Sequence, residues 1–204
     1  MRSPHTVHCM PGDIVTISML GDAGGNSPGP FATLDARDFS IAGRWEAEPG
    51  DLEFTYDFWY QPRPSSASPS PAPSSASQGQ RHMGAVTVID VVNEPLEGWP
   101  LEGGVPGLIT DLVLSLDDKD LFFSNWLRGD LRHYDVSDPR DPRRVSQVWL
   151  GGLLGRDEGH PKGERPTSGG PQMLQNSLDG ERVYVSNSLY STWDNQFYPE
   201  CAAG

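Results

Sequence analysis

Cysteine is scarce: the 204 residues hold two, Cys9 and Cys201. They lie at opposite ends of the chain with no CxxC pair, which excludes a disulfide framework and fits a reducing, cytoplasmic setting. Positive charge is thin as well. Fifteen Lys and Arg face 28 Asp and Glu, leaving a formal net charge of −13. That balance argues against partners such as nucleic acid or an anionic membrane surface. No apolar run approaches the roughly 20 residues a spanning helix needs, so no membrane span is expected. The start, Met1-Arg2-Ser3-Pro4-His5-Thr6-Val7-His8, has a proline and two histidines where a secretory leader needs its apolar region. What the chain has in quantity is turn formers. Its 23 Gly and 19 Pro, against 36% apolar residues, favour turn-rich β structure over helices.

The strongest pattern lies between Pro106 and Pro139. Apolar runs at Leu108–Leu114, Leu121–Asn125 and Leu131–Val136 are cut by polar turns at Asp117–Asp120 and Arg128–Asp130, which predicts an antiparallel meander. The pattern recurs. Ser115-Leu116-Asp117-Asp118 followed by Leu121-Phe122-Phe123-Ser124-Asn125 returns 62 positions later as Ser177-Leu178-Asp179-Gly180 followed by Val183-Tyr184-Val185-Ser186-Asn187. A weaker copy starts at Gly12-Asp13 and keeps the β-branched run, Ser18 and Leu20. Short strands repeating at about 40–60 residues with Asp-Gly turns point to an all-β fold, a β-propeller of four-stranded antiparallel blades. About four blade-like units are expected, an incomplete ring.

Along the chain, residues 1–63 form the first set of blades. Residues 1–11 read as a polar lead into strand Ile14–Ser18. The Gly-rich stretch Gly21–Gly29 lacks the GK[ST] ending of a phosphate cradle and no helix pattern follows it, so it reads as a hairpin connection. Strands Phe31–Asp35 and Ile41–Glu46 follow, and Phe31, Leu34 and Asp35 align with Leu131, Tyr134 and Asp135. Trp45 then corresponds to Trp149, where Val145–Leu150 closes its blade. Residues 64–83, almost wholly Pro, Ser, Ala, Gln and Gly, cannot bury enough apolar surface to fold and are expected to be a disordered linker. Residues 84–204 carry the second set of blades. Ala85–Val92 is expected to be a strand and residues 151–168 a polar loop containing His160; the last unit opens at Gly169.

Two clusters carry chemistry. His5, His8 and Cys9 crowd into five positions, and imidazole with thiolate suits copper or zinc. On an extended strand His5 and His8 face opposite ways, so a turn or bulge at Thr6-Val7 is needed to bring them to one ion. Otherwise the segment is an ordinary polar loop at a blade edge. The second cluster is aromatic: Phe54 with Tyr56-Asp57-Phe58-Trp59-Tyr60. It reads either as a stacking surface for a ligand or as packing between blades.

The strings PGLITDLVLSLDDKDLFFSNWLRGDLRHYDVSDP, GGPQMLQNSLDGERVYVSNSLYSTWDNQFYP, YDFWYQPR and HTVHC resemble the selenium-binding protein family, whose members act as methanethiol oxidases. The resemblance implies a cytosolic β-propeller that oxidises methanethiol with O₂ and water to formaldehyde, hydrogen sulfide and hydrogen peroxide. It implies copper as cofactor, selenium binding, and a small-molecule thiol or selenium species as partner. Carried onto this chain, the HTxHC element falls on His5, Thr6, His8 and Cys9. His5 and His8 become the candidate metal ligands and Cys9 the candidate selenium or thiol contact. Full family members are roughly twice as long, and the blades expected after YDFWYQPR are absent. A fragment, a splice product or a misassembled gene is therefore expected, as is a non-catalytic alternative: a selenium-binding or scaffold protein holding protein partners through exposed blade edges.

Overall fold

The computed structural model describes residues 2–10, 12–22, 24, 26, 29–45, 58–60, 73–74, 89–157, 168–187 and 189–200. Of the expectations above, most of the 64–83 linker, the start of strand Ala85–Val92, His160, Cys201 and the aromatics before Phe58 lie outside the described residues. The chain divides into two compact units, one from residues 1–88 with 136–142 and one from 89–135 with 143–204.

In the first unit, β1 (Arg2–Met10), β2 (Ile14–Gly21), β3 (Phe31–Asp35) and β4 (Ile41–Arg44) form one antiparallel sheet in chain order. Gly12 and Asp13 make the first turn with φ of 83° and 57°. That left-handed backbone suits glycine and is tolerated by aspartate. Val15, Met19, Phe31 and Ala32 are buried, and Phe58 sets its ring edge-on against Phe31 at 5.2 Å. The Gly-rich stretch is a hairpin connection as expected. Asp22 Oδ1 accepts the Gly24 and Asn26 amides at 2.7 and 2.9 Å, folding the loop on itself. Beyond the sheet, β5 (Trp59–Tyr60) pairs with β6 (Pro73–Ser74).

The second unit repeats the plan. β7 (Ile109–Leu114), β8 (Asp120–Asn125), β9 (Asp130–Asp135) and β10 (Arg143–Gly151) are again consecutive and antiparallel, and β11 (Arg156–Asp157) is added to β10. A two-stranded sheet of β12 (Leu174–Asn176) and β13 (Val183–Val185) follows, then one helix, α1 (Ser191–Phe197). Leu112, Val113, Leu114, Leu121, Phe123 and Leu174 are buried. A separate cluster gathers Val105, Trp126, Leu127 and Tyr198 under Leu96, Trp99, Leu153 and Phe197.

The repeated Ser-Leu-Asp segments are the same turn. Ser115 Oγ accepts the Lys119 and Asp120 amides (3.1 and 2.9 Å) and donates to Asp117 Oδ1 (2.7 Å). Ser177 Oγ likewise accepts the Arg182 amide (3.0 Å) and donates to Asp179. The fourth residue is left-handed in both, Asp118 at φ 62° and Gly180 at φ 73°. β12 lies along β7: the Leu174 amide donates to Asp111 Oδ2 (2.5 Å) and Asn176 Nδ2 to the Leu114 carbonyl (2.5 Å).

Three expectations need correction. Residues 2–10 are not a lead-in loop but a strand, because β2 offers them a full antiparallel ladder. Residues 89–92, the described end of the expected Ala85–Val92 strand, join no ladder among the described residues; the bridge Glu94↔Val105 follows them. Seven residues of the last unit form α1, held by rings packed on Trp126 rather than by a side-chain cap. Among the described residues no helix is long and apolar enough to cross a membrane.

Candidate functional site

The face of β1 that carries the histidines is built by a register shift. Pro4 pairs with Met19 and Val7 with Ile17, so His5 and Thr6 together stand opposite Ser18. One extra residue resets the period-two alternation, so His5, Thr6 and His8 come to share a face. The spacing of the histidines calls for a turn or bulge at Thr6-Val7; the shift falls at His5-Thr6. The Thr6 amide donates to Ser18 Oγ at 2.9 Å, and His5 Nδ1 lies 2.9 Å from Thr6 Oγ1. Farther along, His8 pairs with Thr16, and its ring meets Phe58 and Trp59 edge-on at 4.9 and 4.6 Å. His8 is half-buried against those rings while His5 is exposed. Phe58 and Trp59 of the aromatic run thus serve packing and the histidine face at once.

Cys9 pairs with Val15, the next rung, and therefore leaves the strand on the face opposite His8. It is exposed and carries a free thiol. The two imidazoles and the thiol do not converge on one point. Among the described residues no group of three or more His, Cys, Asp or Glu side chains could hold a metal ion. The imidazole pair suits copper by donor type but supplies only two positions.

A second polar constellation lies in the other unit and escaped the sequence reading. Asp130 is fully buried; its Oδ2 accepts Arg132 Nε at 2.9 Å and Gln147 Nε2 at 2.8 Å. Arg128, 3% exposed, pairs with Glu94 and donates to the Val92 carbonyl at 2.8 Å. Glu94 also holds Arg156 at 2.6 Å, and the Trp149 ring lies 5.6 and 4.6 Å from the guanidinium carbons of Arg128 and Arg156. Each buried charge here has an opposite partner, so the cluster is a strut tying residues 92–94 to the sheet rather than a reactive centre. Part of its signal was present: Asp130 and Arg132, of opposite sign and two apart on β9, share one side of that strand.

The sequence model of the family described as 56kDa selenium binding protein matches residues 1–78 and 74–204, two pieces that meet inside the Pro/Ser-rich stretch. A protein of Xenopus laevis named methanethiol oxidase is 34% identical over 289 residues, covering 98% of this chain and 60% of that protein. The methanethiol oxidase of Homo sapiens is 36% identical over 282 residues, covering 96% of this chain and 59% of its own length. The X-ray structure of a hypothetical selenium-binding protein from Sulfolobus tokodaii matches with a TM-score of 0.55 and 32% identity, over 97% of this chain and 60% of that one. The chain thus spans about 60% of the length of the relatives it matches. The aligned lengths of 282 and 289 exceed its 204 residues, so the relatives carry further residues between the segments they share with it.

Proposed function

Because the chain belongs to the selenium-binding protein family, we propose that it acts on small thiol or selenium species and, as its reaction, oxidises methanethiol with O₂ and water to formaldehyde, hydrogen sulfide and hydrogen peroxide. The observation that carries this reading is the match, at about 35% identity across nearly the whole chain, to proteins named methanethiol oxidase. In this reading His5 and His8 are the protein's donors to copper. Copper bound there would supply the one-electron chemistry that a thiol and O₂ need to react. The chain's own contribution is positional. Phe58 and Trp59 fix the His8 ring and shield one side of it from water, while Thr6 Oγ1 holds His5 Nδ1.

The architecture we propose is a β-propeller of four-stranded blades. It is supported by the identical strand order of β1–β4 and β7–β10 and by the stacking of β12 on β7. A cytoplasmic setting goes with it. The test is release of peroxide and sulfide from methanethiol, with and without added copper, in the wild type and in His5→Ala and His8→Ala. Copper-dependent release that both substitutions abolish is expected. Absence of release from the copper-loaded wild type overturns the catalytic reading.

The exposed thiol of Cys9, turned away from the histidines, favours a second reading: a non-catalytic selenium-binding protein. Retention of selenium from selenite under thiol reductant, lost in Cys9→Ser and unaccompanied by peroxide release, would distinguish it.

A further inference from the structure

We infer that Ser18 is the positioning residue of the His5–His8 face: its hydroxyl holds the bulge that places the two imidazoles together. The inference deepens the copper reading above and rests on it only for the metal readout. Ser18 is fully buried on β2, opposite both His5 and Thr6, and its Oγ accepts the Thr6 amide at 2.9 Å. A bulge leaves one amide of the strand without a regular ladder partner. On β1 that amide is Thr6, and the serine hydroxyl takes the place of the missing carbonyl.

The serine recurs in the other copies: in the third it accepts the equivalent amide, whereas in the second its hydroxyl donates to the Gln172 carbonyl. Ser124, equivalent to Ser18, stands opposite the shift between Ile109 and Asp111, with its Oγ 3.2 Å from Thr110 Oγ1. Ser186, the third copy, accepts the Met173 amide on its Oγ at 3.0 Å, while its own backbone bonds both Gln172 and Met173. The first bulge position is therefore His5, Thr110 or Gln172, according to the copy. Only the first carries an imidazole, so a backbone device shared with the third copy acquires a chemical task there. Without the Ser18 hydroxyl the strand relaxes toward regular alternation, and His5 and His8 return to opposite faces.

The test compares Ser18→Ala with Ser124→Ala, which removes the same hydroxyl from the same repeat position of the other meander. The probe is Cu²⁺ alone, followed by equilibrium titration and by its electron paramagnetic resonance spectrum. Ser18→Ala should weaken copper binding about 10- to 100-fold and change the spectrum, as removal of a residue supporting a metal ligand does, while Ser124→Ala keeps both. Ser18→Thr, which retains Oγ, should restore binding. Unchanged binding in Ser18→Ala overturns the inference, as does equal weakening in both alanine variants.

If the wild type binds no copper, the metal reading fails while the inference about Ser18 stays testable by amide exchange and ring-to-ring nuclear Overhauser contacts. The Thr6 amide of the wild type should be protected, Ser18→Ala should lose that protection, and the Overhauser contacts of the His8 ring with Phe58 and Trp59 report whether the face is kept. Fast Thr6 exchange in the wild type, a measurement needing no variant to fold, overturns it.

Discussion

Removing one oxygen atom from Tyr198 should cost a measurable part of the second unit's stability. The Tyr198 side chain is 2% exposed, and its one hydroxyl proton is shared between the Trp126 carbonyl at 2.5 Å and, more weakly, the Leu127 carbonyl at 3.1 Å. Its ring packs edge-on against Trp126 at 5.1 Å. Tyr198→Phe keeps the ring and deletes the shared bond. The Leu127 carbonyl still receives the Leu153 amide at 2.9 Å, whereas the Trp126 carbonyl is stranded inside the cluster. One buried polar group left without its partner costs about 2 kcal/mol. For a chain of this size that corresponds to a fall in Tm of about 4–8 °C. Tyr198→Ala would add a cavity and lose about 3–5 kcal/mol in all. Thermal and urea unfolding followed by tryptophan fluorescence measures both, since Trp126 sits at the contact. A Tyr198→Phe protein that melts within about 1 °C of wild type would show that the shared bond contributes nothing net, contrary to the cost of stranding a buried carbonyl.

Arg128→Met removes one member of a buried ionic cluster and leaves Glu94 with Arg156 and Asp130 with Arg132. A loss of about 3–5 kcal/mol in urea unfolding is expected, and a loss below about 1 kcal/mol would contradict the strut assignment. Asp117 is held down to about 2, first by the Ser115 hydroxyl and then by Lys119. A depressed carboxylate stabilises the fold above its unfolded value near 3.9, and that contribution fades as pH falls through the folded value. Ser115→Ala should return Asp117 toward its ordinary 3.8, read by carboxyl NMR titration; an unmoved value near 2 would refute the cause.

The strands and turns legible in the sequence were those whose apolar pattern and backbone demand coincide. Phe31–Asp35 is found at the expected bounds, and Ile109–Leu114 differs by one residue from its expected start. The Ser-Leu-Asp turns were readable because a left-handed residue must follow them. β1 was not, since His, Thr and Cys in alternation signal no buried face and its strand exists only through pairing with β2. α1 was missed because seven residues hold too few turns for a period. Its order comes from Trp126, 67 positions from Trp193 in sequence, and from Asp194 Oδ1 accepting the Leu189 amide. The buried Asp130 and Arg132 were missed because hydrophobic periodicity treats charge as a mark of exposure.

The same backbone site has different fates in the two meanders, and the reason is what covers it. Thr110, at the bulge of β7, is 4% exposed because the chain entering β12 crosses it. Its Oγ1 lies 3.3 Å from the Pro171 carbonyl, and Ser124 Oγ reaches the Gln172 carbonyl at 2.7 Å. There the polar groups of the bulge are spent on joining one sheet to the next. His5, at the equivalent site of β1, is exposed and bonds within its own strand to Thr6. A bulge re-aims a side chain at the cost of a ladder bond, and a repeat protein pays little for it where the next sheet supplies partners. On β1 the Ser18 hydroxyl takes the Thr6 amide, and the His5 side chain at the bulge stays exposed.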